Sequence, residues 1–314
     1  MSDYDSYDED EWNEGHPFAA TLIGVVLLVA GGWFALPYIP PKPLPIVMAA
    51  ALVIAGVLWG IGYLITIRRA TANWKLLSFM VLLLVTAGVG YSATILVEQR
   101  IKADLQTMVD TRVGIDGLPV TVAGAEKRGP FSNLFVAFVR QISDDQRKLD
   151  AQAKAIGLDG MADASGVQRN PILLRNCAKL GELKTAAHDA IERRREGIDT
   201  MMKGFDNTDY PEEFKRGVRT SMLSGRSGQQ LDRIDTLQGQ FYDAVQGACN
   251  VLARRHWQPQ GPVFMFTSRA DLDAFDRYTT QQNQAVAELQ RINADSQAAF
   301  RASQMNLRRH LSEM

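Results

Sequence analysis

The sequence predicts an all-α membrane protein, with three N-terminal transmembrane helices followed by an elongated helical-bundle or coiled-coil-like soluble domain. Three observations carry this reading. Charge is segregated: residues 1–17 hold seven acids and no Lys or Arg, residues 18–97 hold no acid and four bases, and the whole chain nets -1. Within 18–97 lie three apolar runs free of Asp, Glu, Lys, Arg and His, each of the ~20 residues a helix needs to cross a bilayer. From residue 98 onward, apolar residues recur every three or four positions between polar ones, the period of amphipathic helices. This distribution excludes an ordinary soluble enzyme, a collagen-like chain and a mainly disordered one. Two cysteines in 314 residues exclude a disulfide-dense scaffold or a Cys-rich zinc module. The near-neutral net charge argues against nucleic acid as a partner.

The acidic segment 1–17 reads as a disordered tail. The spans follow at 18–39, 46–67 and 76–97, with Trp33, Tyr38, Tyr63 and Trp74 placed as an aromatic belt. The first span follows acids rather than a basic n-region and exceeds 7–15 residues, so it is expected to be retained rather than cleaved as a signal peptide. Between spans one and two, PPKPLP is a tight turn; between two and three, RRATANWK is short and basic. Under the positive-inside rule the RRATANWK loop faces the cytoplasm, which puts residues 98–314 outside; Lys42, Arg100, Lys102 and Arg112 count against this orientation. In the second span, Gly56-x-x-x-Gly60 is a small-residue packing frame, open to the neighbouring spans or to a second subunit.

Span three ends without a helix breaker, and Ile101, Leu105, Met108 and Arg112 continue its spacing as a stalk. Residues 113–130 form a glycine- and proline-rich loop. Ser132 then opens a helix to about Ile156, residues 157–166 are loop, and Asn170-Pro171 starts a long helix through Phe205. A short helix around Val218 and a heptad-like one from Gly228 to about His256 follow. Val263–Thr267 is expected to pair with Val120–Val122 as a small two-stranded piece. Ser268-x-x-Asp271 resembles a capping box and opens a last helix of about 45 residues, roughly 65 Å long.

Cys177 and Cys249 lie on apolar helix faces, and an even pair in an extracytoplasmic domain fits a disulfide, closing a loop worth about 4 kcal/mol at most. The plainer alternative is two buried thiols. His188 and Glu192 share a helix face and read as an i,i+4 surface pair rather than a metal site. Gly225-Arg226-Ser227-Gly228 lacks the frame of a phosphate-binding loop and reads as an interhelical turn. The basic run Arg193, Arg194, Arg195, Lys203, Lys215, Arg216, Arg219 and Arg226 is interleaved with acids and reads as a solvated surface, the functional alternative being contact with anionic lipid heads or an acidic envelope polymer. No catalytic motif, cofactor or metal set is found, and the chain is not expected to be an enzyme.

Spans without ionisable groups argue against a pump or transporter. The expected function is a membrane-anchored helical interaction or scaffold protein, an accessory subunit of a cell-envelope complex. It is placed in a bacterial inner membrane with its C-terminal domain in the periplasm, and its partners are the membrane and other envelope proteins or a second copy. The partner surface is expected at the end of the last helix, at Phe300, Met305, Leu307 and Leu311. A sensor with a ligand-binding helical domain is the alternative, and an envelope enzyme a third. A reporter that is active only after export, fused after Met314, should be active; activity of a cytoplasm-only reporter there would reverse the orientation.

Overall fold

The structure, a computed structural model, describes residues 17–35, 44–65, 71–114, 118–223 and 228–313. The acids of the N-terminal tail, Tyr38, residues 40–43 of the PPKPLP turn, Arg68, Arg69 and residues 225–227 of the Arg226 turn lie outside the described residues, while Leu44 and Pro45 already open a helix. Contacts divide the chain into two units, the first holding the residues up to Lys102 together with Asp209–Pro211 and the second the rest from Ala103 onward.

The first unit contains α1 (Pro17–Ala35), α2 (Leu44–Ile65) and the start of α3 (Ala72–Asp110). All three are long and apolar enough to cross a membrane, and most of their large apolar side chains point outward, as lipid-facing helices require. α3 begins inside the expected RRATANWK loop, so Trp74 and Lys75 are helical, and the Lys75 ammonium lies 5.5 Å over the Tyr63 ring. Close helix approach occurs at Gly32, where an added Cβ would meet Val89 at 2.5 Å, and at Gly24, against Leu82. A Cβ at Gly56 or Gly60 would meet nothing within 4 Å, whereas Ala55 is buried.

In the second unit α3 continues to Asp110, close to the expected stalk end. Its Asp104 is wholly buried and accepts hydrogen bonds from the Phe131 N–H (3.0 Å) and the Ser132 N–H (2.6 Å), the unsatisfied donors that open α4 (Pro130–Ala155). Ser132, expected as the N-cap, is instead inside the first turn, because Gly129 takes the cap position and Pro130 the first helical one. The Ser132 hydroxyl bonds the Asp104 carbonyl (2.8 Å) and Thr107 (2.7 Å). An added Cβ at Gly129 would stand 2.4 Å from the Asp104 carboxylate, so the glycine serves close approach.

After α4 the expected loop 157–166 instead contains a 3-10 turn, Leu158–Ala162, and α5 (Ala164–Arg169), capped by Asp163, which accepts from the Gly166 N–H at 2.6 Å. The long helix expected from Asn170 is broken into α6 (Ile172–Arg175) and α7 (Lys179–Asp206), with Cys177 in the break. Next come α8 (Glu212–Leu223) and α9 (Gly228–Ala253). Lys215 donates to the Asp206 carbonyl and Arg219 pairs with its carboxylate, placing positive charge at the C-terminal end of α7.

The small strands do not pair as expected. β1 (Arg112–Val113) pairs with β2 (Pro119–Val120), and β3 (Trp257–Gln260) with β4 (Val263–Phe266), both antiparallel. Each pairing closes a short loop in place of a long one, the entropically easier choice, and Gly261 adopts the positive φ of 62° that its two-residue turn demands. α10 (Arg269–Glu313) matches the expected 45-residue helix. Its capping box forms by half. Ser268 accepts from the Asp271 N–H (3.3 Å), but the Asp271 carboxylate turns to Arg254 (2.7 Å) and His256 (2.8 Å), and the His256 hydrogen bond, with help from Arg254, holds it below the usual carboxylate range.

Gly129→Ala should cost about 2–4 kcal/mol, from crowding and from losing the Asp104 contacts. Combining it with Asp104→Ala should cost less than the two changes summed, because both break one contact. Loss of helical circular dichroism on heating in neutral detergent measures both; full additivity would refute the coupling.

Candidate binding site

α9 is the shared wall of the second unit, packed on α7 along one side and on α10 along the other. Three ion pairs run in antiparallel order between α7 and α9: Lys184 with Asp243 (2.7 Å), His188 with Asp235 (2.9 Å) and Arg195 with Asp232 (2.6 Å). His188 thus reaches across to α9 instead of pairing with Glu192. The Asp235 hydrogen bond, then its charge, raise the imidazole above its usual value. Between α9 and α10, Arg233 pairs with Glu288.

The expected disulfide is present. Cys177 and Cys249 are bonded with Cα atoms 5.7 Å apart, in a core with Leu173, Leu180, Leu183 and Val245. Phe241 and Tyr242 pack on this core from its edge. Burial, with Asp150 adding to it, holds the Tyr242 phenol above its ordinary value.

These same two aromatics line a cleft of about 520 Å³. Its apolar walls are Ile142 of α4, Leu231 and Ile234 of α9, and Val286, Leu289 and Ile292 of α10. Polar groups enter from Gln146, Gln230, Gln238, Gln290, Asn293 and Ser296, and one guanidinium enters, that of Arg194. The volume lies in the range of small-molecule sites, and seven of the seventeen lining residues are polar.

The placement of Arg194 follows from helix geometry. Successive residues on a helix turn by about 100°, so three consecutive arginines face three directions. Arg193 faces α4 and grips Asp145 through Nε (3.1 Å) and Nη2 (3.0 Å). Arg195 faces α9 and binds Asp232. Arg194 lies between them and lines the cleft. Among the described residues nothing hydrogen-bonds or ion-pairs with it, and burial pushes its guanidinium below the ordinary arginine value against the pull of Asp145. A neighbouring cavity of about 40 Å³, large enough for ordered water, joins Asp145, Arg194 and Gln238. The Gln238 Oε1 is buried with no partner.

The basic run is therefore not one solvated surface. Arg193, Arg195, Lys215 and Arg219 are held by acids or carbonyls, while Lys203 and Arg216 stand in solvent. Sequence reasoning did not single out Arg194; the available signal was the run of three, since the acids of two neighbouring helices can meet only the outer two.

The four residues assigned to a partner surface separate. Ser303, Leu307 and Leu311, spaced by four, form a buried face, with Leu307 5% and Leu311 7% exposed. Gln304 explains the inward turn, since its amide donates to the Met108 and Thr111 carbonyls at the end of α3, both at 2.8 Å. Met305 is 64% exposed and Phe300 is half-buried. Among the described residues no three His, Cys, Asp or Glu side chains gather as a metal would need. Compared with known family models, curated proteins and solved structures, the chain matches none, so its cleft is interpreted from its own residues.

The folded value of His188 is raised, so its bridge contributes fully below the ordinary histidine value of about 6.5 and is lost as pH rises through the raised value. The stability advantage of the native chain over His188→Gln should therefore shrink on moving from mildly acidic to alkaline buffer. An advantage constant across that range would show that the bridge is not ionic.

Proposed function

We propose that this protein is a membrane-anchored receptor whose helical domain binds a small molecule between α4, α7, α9 and α10. The observation that carries this reading is the cleft with Arg194 in it. Arg194 is half-buried, feels Asp145 only through space and, among the described residues, bonds no protein group, so its N–H donors are left to water or to a ligand in the cleft.

A route for readout supports a receptor over a passive carrier. α10 lines the cleft from Val286 to Ser296 and, two turns on, Gln304 holds the last carbonyls of α3, the helix that contains the third span. A ligand that shifts α10 thereby acts on that helix end. The disulfide supports an extracytoplasmic, periplasm-facing domain, because such bonds persist in oxidising compartments. The scaffold role drew its support from the end of α10, and the burial of Leu307 and Leu311 removes half of that surface.

Native mass spectrometry of the full-length protein, extracted from membranes in mild detergent, tests the reading. The native chain should carry a bound mass, and Leu289→Trp, which fills the cleft, should lose it while melting normally. A native chain without a bound mass, or one whose bound mass Leu289→Trp retains, would overturn the proposal.

A further inference from the structure

Resting on the cleft as a ligand site, we infer that its ligand is a single-chain amphiphile with one anionic head, carboxylate or phosphate, that pairs with Arg194 while its chain lies between α9 and α10.

Charge comes first. Among the described residues Arg194 is the one guanidinium lining the cleft, and the nearby acid Asp145 is already gripped by Arg193 through two nitrogens. An arginine presents a planar fork of N–H donors that matches carboxylate or phosphate oxygens two at a time. Burial already lowers the guanidinium's ordinary value, a penalty that an anion in contact reverses. Gln238 adds a second group on the same cavity wall, with an Oε1 that no protein atom satisfies. Rotated by half a turn about its last bond, the amide offers N–H donors to the same head, and unrotated it accepts the P–OH of a phosphate monoanion.

Shape comes second. The lining runs from Gln230 to Tyr242 on α9 and from Val286 to Ser296 on α10, a length of about 15–18 Å at 1.5 Å per residue. Along it stand Leu231, Ile234, Phe241, Leu289 and Ile292, so an apolar stripe runs beyond the head, edged by Gln230, Gln290, Asn293 and Ser296. A free inorganic anion leaves that stripe uncovered, and the two full chains of a membrane phospholipid exceed about 520 Å³. One acyl chain meets both limits. Both helices belong to the same unit as Arg194, so head and chain bind within one body.

The test uses full-length protein in neutral detergent and a palmitate analogue carrying a photoactivatable diazirine, with the labelled peptides mapped by mass spectrometry. Labelling should fall on α9 and α10 peptides that line the cleft. Laurate or dodecyl phosphate should compete, and the stronger competitor identifies the head. Dodecanol, acetate and inorganic phosphate should compete at least tenfold more weakly, since a charged hydrogen-bonded pair contributes about 1.5–3 kcal/mol. Arg194→Gln should lower cleft labelling by a similar factor without changing the melting temperature, and Arg194→Lys should restore part of it. If dodecanol competes as well as laurate and Arg194→Gln labels normally, the cleft binds apolar chains and the anionic head is refuted, while the receptor reading stands. If label appears only in α1–α3, both fall.

Discussion

A wholly buried carboxylate is tolerated at Asp104 because the first N–H groups of α4 point at it and the positive end of that helix faces its charge. Everything beyond depends on this seat. α4 carries Asp145, and Asp145 takes Arg193 out of circulation; that fixes the rotation of α7 and leaves Arg194 toward the cleft. The seat also explains why glycine stands at 129, where any side chain would occupy the volume of the carboxylate. A chain leaving a membrane span needs a firm first contact, and here one acid on α3 supplies it by capping a helix that begins 26 residues later.

The cleft exists because the α9–α10 seam is imperfect. A clean heptad seam would close with leucines, but α10 places Asn293 and Ser296 among its apolar positions, and both line the opening. Ser296 is engaged by Gln230 across the gap at 2.8 Å, while Arg233 and Glu288 tie the two helices on their outer side. The disulfide core stiffens the opposite wall by backing Phe241 and Tyr242. A space bounded by a covalent core on one side and ion pairs on the other resists collapse, and so persists where apolar walls alone would close.

Much of the architecture was legible. The uncharged runs within 18–97 read as helices long and apolar enough to cross a membrane, and spacing placed the amphipathic helices near 132–156, 228–256 and 268–314, while the one expected from Asn170 starts in earnest only at Lys179. The cysteine pair was readable from its apolar faces and even count. What escaped depends on contacts distant in sequence. Ser132 carries the chemistry of an N-cap, but Asp104 on another helix supplies the cap. Val120 has strand propensity, yet its partner was the nearer Arg112. The polar breaks in α10 read equally as a weak seam awaiting a partner or as the lining of a cavity, and only the position of the facing helix separates the two. Arg194 escaped for the same reason, since composition shows three like arginines and packing makes them unlike.

The Cys177–Cys249 bond also changes how the domain bears load. A pull between the membrane spans and the C-terminus passes through the sulfur atoms and bypasses residues 178–248, so α7, α8 and most of α9 feel no tension while the bond holds. α10 lies outside that covalent shortcut and is held by noncovalent contacts alone, among them packing, Arg233–Glu288 and Gln230–Ser296 toward α9 and Gln304 on the α3 carbonyls. Force applied at the C-terminal end therefore loads these α10 contacts before any covalent link. Because α10 is one wall of the cleft and Arg194 lies in the sheltered segment, traction on α10 loads the cleft wall while the segment that bears the guanidinium stays slack.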